Sequence, residues 1–440
     1  MIQPLGSAIG RMEGSARILA MIKLVNVGLT LIWGFAVTYV FVRVLPLREF
    51  QSFLLLVAFG NFTISAEFGL TSIIYARLRR HWLGVGRGDA GAFRLEEMGF
   101  LFLFLGFLIL GGLAILLVAL LAGGIGTTMP LLFILFFLSA CINLPALLAK
   151  RALAAVDGNF LWEALDCLRR IMTIVLLLFM LQGLDPRLSV ALQIGVSITV
   201  IGYAIALVHQ RLGMRARDWI AFRTGSGHVR AHYLRDIGAS ALFTMSDIVA
   251  YNGPYFTIAL ATSDARPMLL FDFFFKMSRA LSMAVRAAVE AALPRVTRAF
   301  HAGDAARLRQ LLHRALGAAF LFVIIACIGL VSLGQWLFAK LFDGRAAIDM
   351  ADLLLICAAL LALALLCVSV YVQAALGRFM LLLGRSLPFF IGSLLSVPVA
   401  MALPFRFDLA FLGCYVLTLL VVAGLHAQSL RRLMAMERKR

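Results

Sequence analysis

Residues 269–295 read LLFDFFFKMSRALSMAVRAAVEAALPR. The stretch is apolar enough for hydrocarbon, yet it carries Asp272, Lys276, Arg279, Arg286 and Glu290. At 100° per residue those five side chains fall at about 0°, 40°, −20°, −40° and 0°, one helical face roughly 80° wide. Along the axis the stripe is about 27 Å long, nearly the depth of a bilayer core. Five charges at that depth cost roughly 12–17 kcal/mol on the insertion scale, while the apolar residues of the span return about 5. A helix with this balance turns its charged face to other helices or to water, not to lipid.

The rest of the chain sets that helix in a membrane. Its 440 residues are 62% hydrophobic, with a mean hydropathy of +0.98. Such a composition excludes a soluble globular protein. The net charge of +18 would suggest nucleic acid in a soluble chain. Here its placement matters more, and no nucleic-acid partner is expected.

Twelve spans are expected, near 19–42, 51–76, 97–122, 130–149, 168–182, 188–209, 237–261, 268–293, 315–338, 351–375, 385–404 and 409–428. About 30 of the Lys and Arg residues then fall in one set of connecting segments and about 7 in the other. That bias is expected to put both termini in the cytoplasm. The basic rim is expected to attract anionic lipid headgroups. No cleavable signal peptide is expected, and the first span acts as a signal anchor. The six cysteines lie in or beside spans without metal or redox spacing and read as packing residues. Neither metal nor cofactor is expected, and no phosphate-binding glycine loop accompanies a Lys-Ser/Thr pair.

An internal repeat divides the chain. GRGDAGAFR after span two and HAGDAARLR after span eight share Gly88/Gly303, Asp89/Asp304, Ala90/Ala305 and Arg94/Arg309, all at one offset. The fold class expected is therefore an all-α polytopic membrane protein, with twelve helices in two parallel six-helix halves around a central cavity. The halves are expected at 1–209 and 236–440, joined by a basic cytoplasmic linker at 210–235. Asp89 and Asp304 suit helix N-caps. Within span seven, Asn252-Gly253-Pro254 is expected to break the helix, because Pro254 cannot donate to the Ala250 carbonyl. Gly253 and Pro254 are thus candidate hinge residues. Pro145, Pro388 and Pro398 read as ordinary span prolines.

Short motifs extend this reading. Leu45-Pro46 with Glu49-Phe50, Glu67-Phe68-Gly69-Leu70, the mid-span acid Asp247, and Leu293-Pro294-Arg295 followed by Gly303-Asp304 and Arg307, Arg309 and Arg314 resemble a known family. These are the polysaccharide flippases (O-antigen and exopolysaccharide translocases) of the multidrug/oligosaccharidyl-lipid/polysaccharide exporter superfamily. Departures are Gln51, where a Gly is common, and Phe271, where a Tyr often opens span eight. The resemblance implies a V-shaped bundle that rocks between inward- and outward-open states. It implies secondary-active transport of a polyprenyl-pyrophosphate-linked oligosaccharide to the outer leaflet, and other polysaccharide-assembly membrane proteins as partners.

A pyrophosphate head needs protein cations at the bilayer centre, and Arg matches phosphate bidentately. Asp272–Lys276 and Arg286–Glu290 are i,i+4 pairs, whereas Arg279 has no such partner on its own helix. Arg279 is the first candidate for the substrate contact, flanked by Lys276 and Arg286. An alternative pairs Arg279 with Asp247 or Glu67 on another helix. Glu67, Asp247, Asp272 and Glu290 are candidates for binding H⁺ or Na⁺ or for gating, Glu67 through a bridge to Arg77 or Arg286.

Competing classes remain open: a multidrug or small-molecule exporter of the same superfamily, a major facilitator transporter, a multispan glycosyltransferase or ligase, and a membrane scaffold. An enzyme is disfavoured because the outer loops offer only scattered acids, Glu49, Asp185, Asp264, Asp343, Asp349 and Asp408.

Overall fold

The computed structural model describes residues 16–84, 92–376 and 378–435. Among them the chain forms α-helices and short connections, with no strand. In order these are α1 (Ala16–Val44), α2 (Leu47–Ser65), α3 (Leu70–Trp82), α4 (Glu96–Leu121), α5 (Pro130–Cys141), α6 (Asn143–Ala155), α7 (Asn159–Phe179), α8 (Pro186–Leu212), α9 (Ala216–Trp219), α10 (Phe222–Ala261), α11 (Arg266–His301), α12 (Ala305–Leu341), α13 (Met350–Ala375), α14 (Phe379–Ala402) and α15 (Phe407–Ala435). The protein is an all-α polytopic membrane protein. Among the described residues eight segments are long and apolar enough to cross a membrane by length and composition alone: α1, α4, α5 with α6, α8, α12, α13, α14 and α15. The remaining expected spans fall on α2 with α3, α7, α10 and α11, which are broken or carry charge.

Two of the expected spans are interrupted for local reasons. Span two is not continuous: Phe68 and Gly69 take φ of 52° and 75°, a left-handed turn that no helix continues through. Span four extends to Ala155 but is interrupted at Ile142. Pro145 lacks the N–H that would bond the Cys141 carbonyl, and the Asn143 side chain donates to the Ala140 carbonyl at 2.9 Å.

The chain divides into two compact units, Met1–Thr244 and Met245–Arg440. The division falls inside α10, and residues 210–235 are largely helical. Gly213, with φ 62°, ends α8, α9 packs on α4, and α10 begins at Phe222. In the first unit α1 lies against α7, α3 against α6, and α5 and α6 against α8. Phe53 stacks on Phe41 at 4.2 Å and meets Phe136 edge-on at 4.5 Å, the geometry aromatic pairs prefer. In the second unit α15 packs on α13 and α14, and α11 packs on α12 and α13. Gly392 permits the close approach of α14 to Thr418 on α15, where any Cβ would collide with the threonine side chain.

Loop residues that look scattered in sequence converge at one end of the second unit. Arg266 at the start of α11 forms ion pairs with Asp349 (2.9 Å), Asp352 (3.2 Å) and Asp408 (3.1 Å). Arg406 pairs with Asp349 (3.0 Å) and Asp408 (2.8 Å). Asp349 and Asp352 also form a capping box at the start of α13. Three helix N-termini are thereby tied by two arginines and three carboxylates.

The Arg266 and Arg406 hydrogen bonds hold the Asp349 carboxyl below the usual carboxylate range. A carboxyl whose pKa is lowered on folding stabilises the folded state above its unfolded pKa of about 4, and that contribution fades as pH falls through the folded value. Thermal stability of the purified protein is therefore expected to drop as pH is lowered below about 4. In Asp349→Asn the drop should be shallower, and a slope equal to wild type in a thermal-shift series would refute the assignment.

Candidate membrane-embedded polar site

The charge stripe lies on α11, and the structure resolves what surrounds most of it. Asp272 is 2% exposed. It forms the expected i,i+4 ion pair with Lys276 and accepts a hydrogen bond from the Tyr255 hydroxyl on α10 at 2.9 Å. The carboxylate is therefore answered twice, as a charge in low dielectric requires. Phe271, fully buried, packs edge-on against Tyr255 at 5.0 Å and Tyr415 at 5.4 Å. The position that lacks a tyrosine thus serves as aromatic packing.

Arg279 and Arg286 lie further along α11 and are exposed. The Arg279 charge lies within electrostatic reach of Tyr255 and Lys276. Arg286 stands over the Tyr371 ring, 5.7 Å from its centroid, a cation–π contact. The side chain of Glu290, the expected partner of Arg286, lies outside the described residues, as does Asp89 of the repeat. Its counterpart Asp304 caps α12, accepting from the Arg307 amide at 2.9 Å.

The other candidate acids separate into distinct roles. Glu67 is not found in an ion pair among the described residues; its carboxylate accepts the Thr71 amide at 2.9 Å and so caps the first turn of α3. The turn at 66–69 leaves the amides of α3 unsatisfied, and the Glu67 carboxylate answers one of them. Asp247, in contrast, is exposed on α10 and has no hydrogen-bond or ion-pair partner among the described residues. Tyr251, Cys367 and Tyr415 lie within its electrostatic reach.

The expected break at 252–254 is a correction. The helix runs through Pro254 from Phe222 to Ala261, with Gly253 and Pro254 both buried. The carbonyl that Pro254 frees, on Ala250, is met by the Tyr415 hydroxyl at 3.1 Å. Asn252 donates to the Ile248 carbonyl at 3.0 Å. A side chain from α15 thus replaces the missing backbone donor, which is how prolines are tolerated in membrane helices. No local sequence signal pointed to Tyr415, since it lies 165 residues from its acceptor.

The sequence also missed a buried polar cluster in the first unit. Asn26 on α1 donates to Glu163 at 2.6 Å and Asp166 at 2.9 Å. Asp166 pairs with Arg169 (2.7 Å) and Arg170 (3.0 Å), and Lys150 stands 3.5 Å from Glu163. Residues 150–170 look like a basic loop. Their i,i+3 and i,i+4 spacing on α7 was the available signal.

Removing the Tyr415 hydroxyl strands the Ala250 carbonyl without removing the ring. Tyr415→Phe is expected to destabilise the second unit by about 1–3 kcal/mol, the cost of an unsatisfied buried acceptor. Thermal unfolding in detergent measures this, and an unchanged midpoint would refute the capping role.

No family model matches the chain, and no curated relative matches it. Solved structures do match over nearly the whole length. A MATE transporter of Vibrio cholerae, solved as a point mutant, superposes with a TM-score of 0.65 at 14% identity, covering 98% of this chain and 100% of the other. An inward-facing multidrug resistance MATE family transporter of the MOP superfamily gives 0.64 at 14% identity, covering 96% and 99%. A eukaryotic MATE transporter gives 0.60 at 14% identity, covering 96% and 99%. The chain has the twelve-helix fold of the MATE transporters.

Proposed function

We propose that the chain is a secondary-active exporter that expels an amphipathic organic solute by alternating access, driven by inward flow of H⁺ or Na⁺. The observation that carries the coupling is Asp247, an exposed carboxylate inside an expected span with no partner among the described residues. Asp272 is already neutralised by Lys276, and Glu67 is occupied as a helix cap. Asp247 is thus the acid best placed to take and release a cation. The shared fold, whose solved examples include a multidrug resistance transporter, favours a small amphipathic cargo over a lipid-linked one. The orientation proposed is that of the basic bias, with both termini on the cytoplasmic side of a bacterial inner membrane.

A second reading has its own support. Arg279 and Arg286 are exposed on the stripe of α11, beside the short motifs that resemble the polysaccharide flippases. Two accessible arginines suit a pyrophosphate head, and the cargo would then be a polyprenyl-pyrophosphate-linked oligosaccharide. In either reading Gly253 and Pro254 act within a continuous, capped helix, not as a break.

Deleting the gene separates the two cargoes. Sensitivity to toxic amphipathic compounds with intact surface polysaccharide supports the first reading. Lipid-linked oligosaccharide trapped on the cytoplasmic leaflet supports the second. Asp247→Asn is expected to abolish gradient-driven transport while the protein remains folded in the membrane; full transport in that variant overturns the coupling role. Arg279→Ala is expected to lower transport of an anionic cargo at least roughly ten-fold, the loss of one charge-assisted contact, with Arg279→Lys partly active. Equal activity of Arg279→Ala and wild type would remove Arg279 from the substrate path.

A further inference from the structure

We propose that Arg295, Arg307 and Arg314 form a binding site for the phosphate of an anionic phospholipid headgroup. The site does not depend on which cargo the protein carries. It lies where the chain reverses between α11 and α12, around Gly303, whose φ is 69°. Arg295 near the end of α11 and Arg307, Gln310, Leu311 and Arg314 on α12 line a recess of about 580 Å³. Positions 307, 310, 311 and 314 repeat at i, i+3, i+4 and i+7, so they share one face of α12.

Among the described residues the charges around the recess have no counter-charge beyond Asp304. Arg295, Arg307 and Arg314 are exposed, and no hydrogen bond or ion pair to their side chains is found among the described residues. The one acid of the lining, Asp304, is occupied as the N-cap of α12 through the Arg307 amide. The N-terminus of this long helix adds about half a positive charge. Three guanidiniums against one engaged carboxylate leave a net attraction for a phosphate, which Arg forks bind bidentately.

Depth selects a lipid over a free phosphate. Residues 315–339 carry no charge, so Arg314 marks the end of the apolar run of α12. Arg307 lies about 10 Å further out along the helix. That interval spans the headgroup layer of a bilayer. Leu311, between the two arginines on the same face, offers an apolar contact a turn outward of Arg314. The basic residues flanking this reversal belong to the segments that the charge bias assigns to the cytoplasmic leaflet.

The test uses the full chain in phosphatidylcholine nanodiscs containing a minor share of phosphatidylglycerol. Retained phosphatidylglycerol is counted by native mass spectrometry, and its affinity is measured by titration. Each of Arg295→Gln, Arg307→Gln and Arg314→Gln is expected to weaken retention about five-fold, the triple variant roughly a hundred-fold. Arg309→Gln, on another face of α12, should change it less than two-fold. Arg307→Lys should keep part of the affinity, which separates a lost phosphate contact from misfolding. Retention unchanged in the triple variant overturns the site. Equal loss in Arg309→Gln also overturns it, because that outcome means a diffuse basic surface. Competition by millimolar inorganic phosphate without any lipid retention would overturn the lipid assignment.

Discussion

Asp272 must have its charge answered inside the protein, because hydrocarbon supplies neither counter-charge nor hydrogen bonds. Lys276 answers it from the next turn of α11 and Tyr255 from α10. That pair of contacts fixes which face of α11 turns inward and holds α10 beside it. Tyr255 in turn packs edge-on against Phe271, and Phe271 and Phe274 against Tyr415. Removing Lys276 would leave a buried charge, which costs more than the pair itself contributes.

The same constraint recurs at other scales. At Pro254 the uncompensated group is a carbonyl, and Tyr415 supplies the donor. At the turn before α3 it is an amide, and Glu67 supplies the acceptor. In the first unit Asn26 bridges two carboxylates that three basic side chains also approach. Where the second unit gathers the N-termini of α11, α13 and α15, two arginines and three aspartates share five ion pairs. Asp247 has no such partner among the described residues, and Arg279 and Arg286 keep exposed side chains on the stripe, which makes these three candidates for work on solutes.

Much of the fold was legible because the bilayer imposes a strong, simple pattern. Apolar runs of adequate length, the alternation of basic loops and the period of the stripe all follow from hydrocarbon depth and helical geometry. The N-cap at Asp304 and the Asp272–Lys276 pair were legible for the same reason: both are local, within one helical turn. Less of the site could be read. Glu67 reads in sequence as a candidate for ion binding or gating, and only the left-handed turn at Phe68 and Gly69 shows that its carboxylate also accepts the Thr71 amide. The sequence places a basic linker at 210–235, and the chain divides into its compact units a few residues later, within α10.

The sequence by itself determined that this is an all-α membrane protein with a charged helix that cannot face lipid, since each of those properties is a sum over neighbouring residues. Only the tertiary structure decided which charges are already satisfied. Tyr255, Tyr415 and the Arg266 network answer groups that lie far from them along the chain. A residue's freedom to bind something else depends on those distant partners, and a linear pattern does not record them.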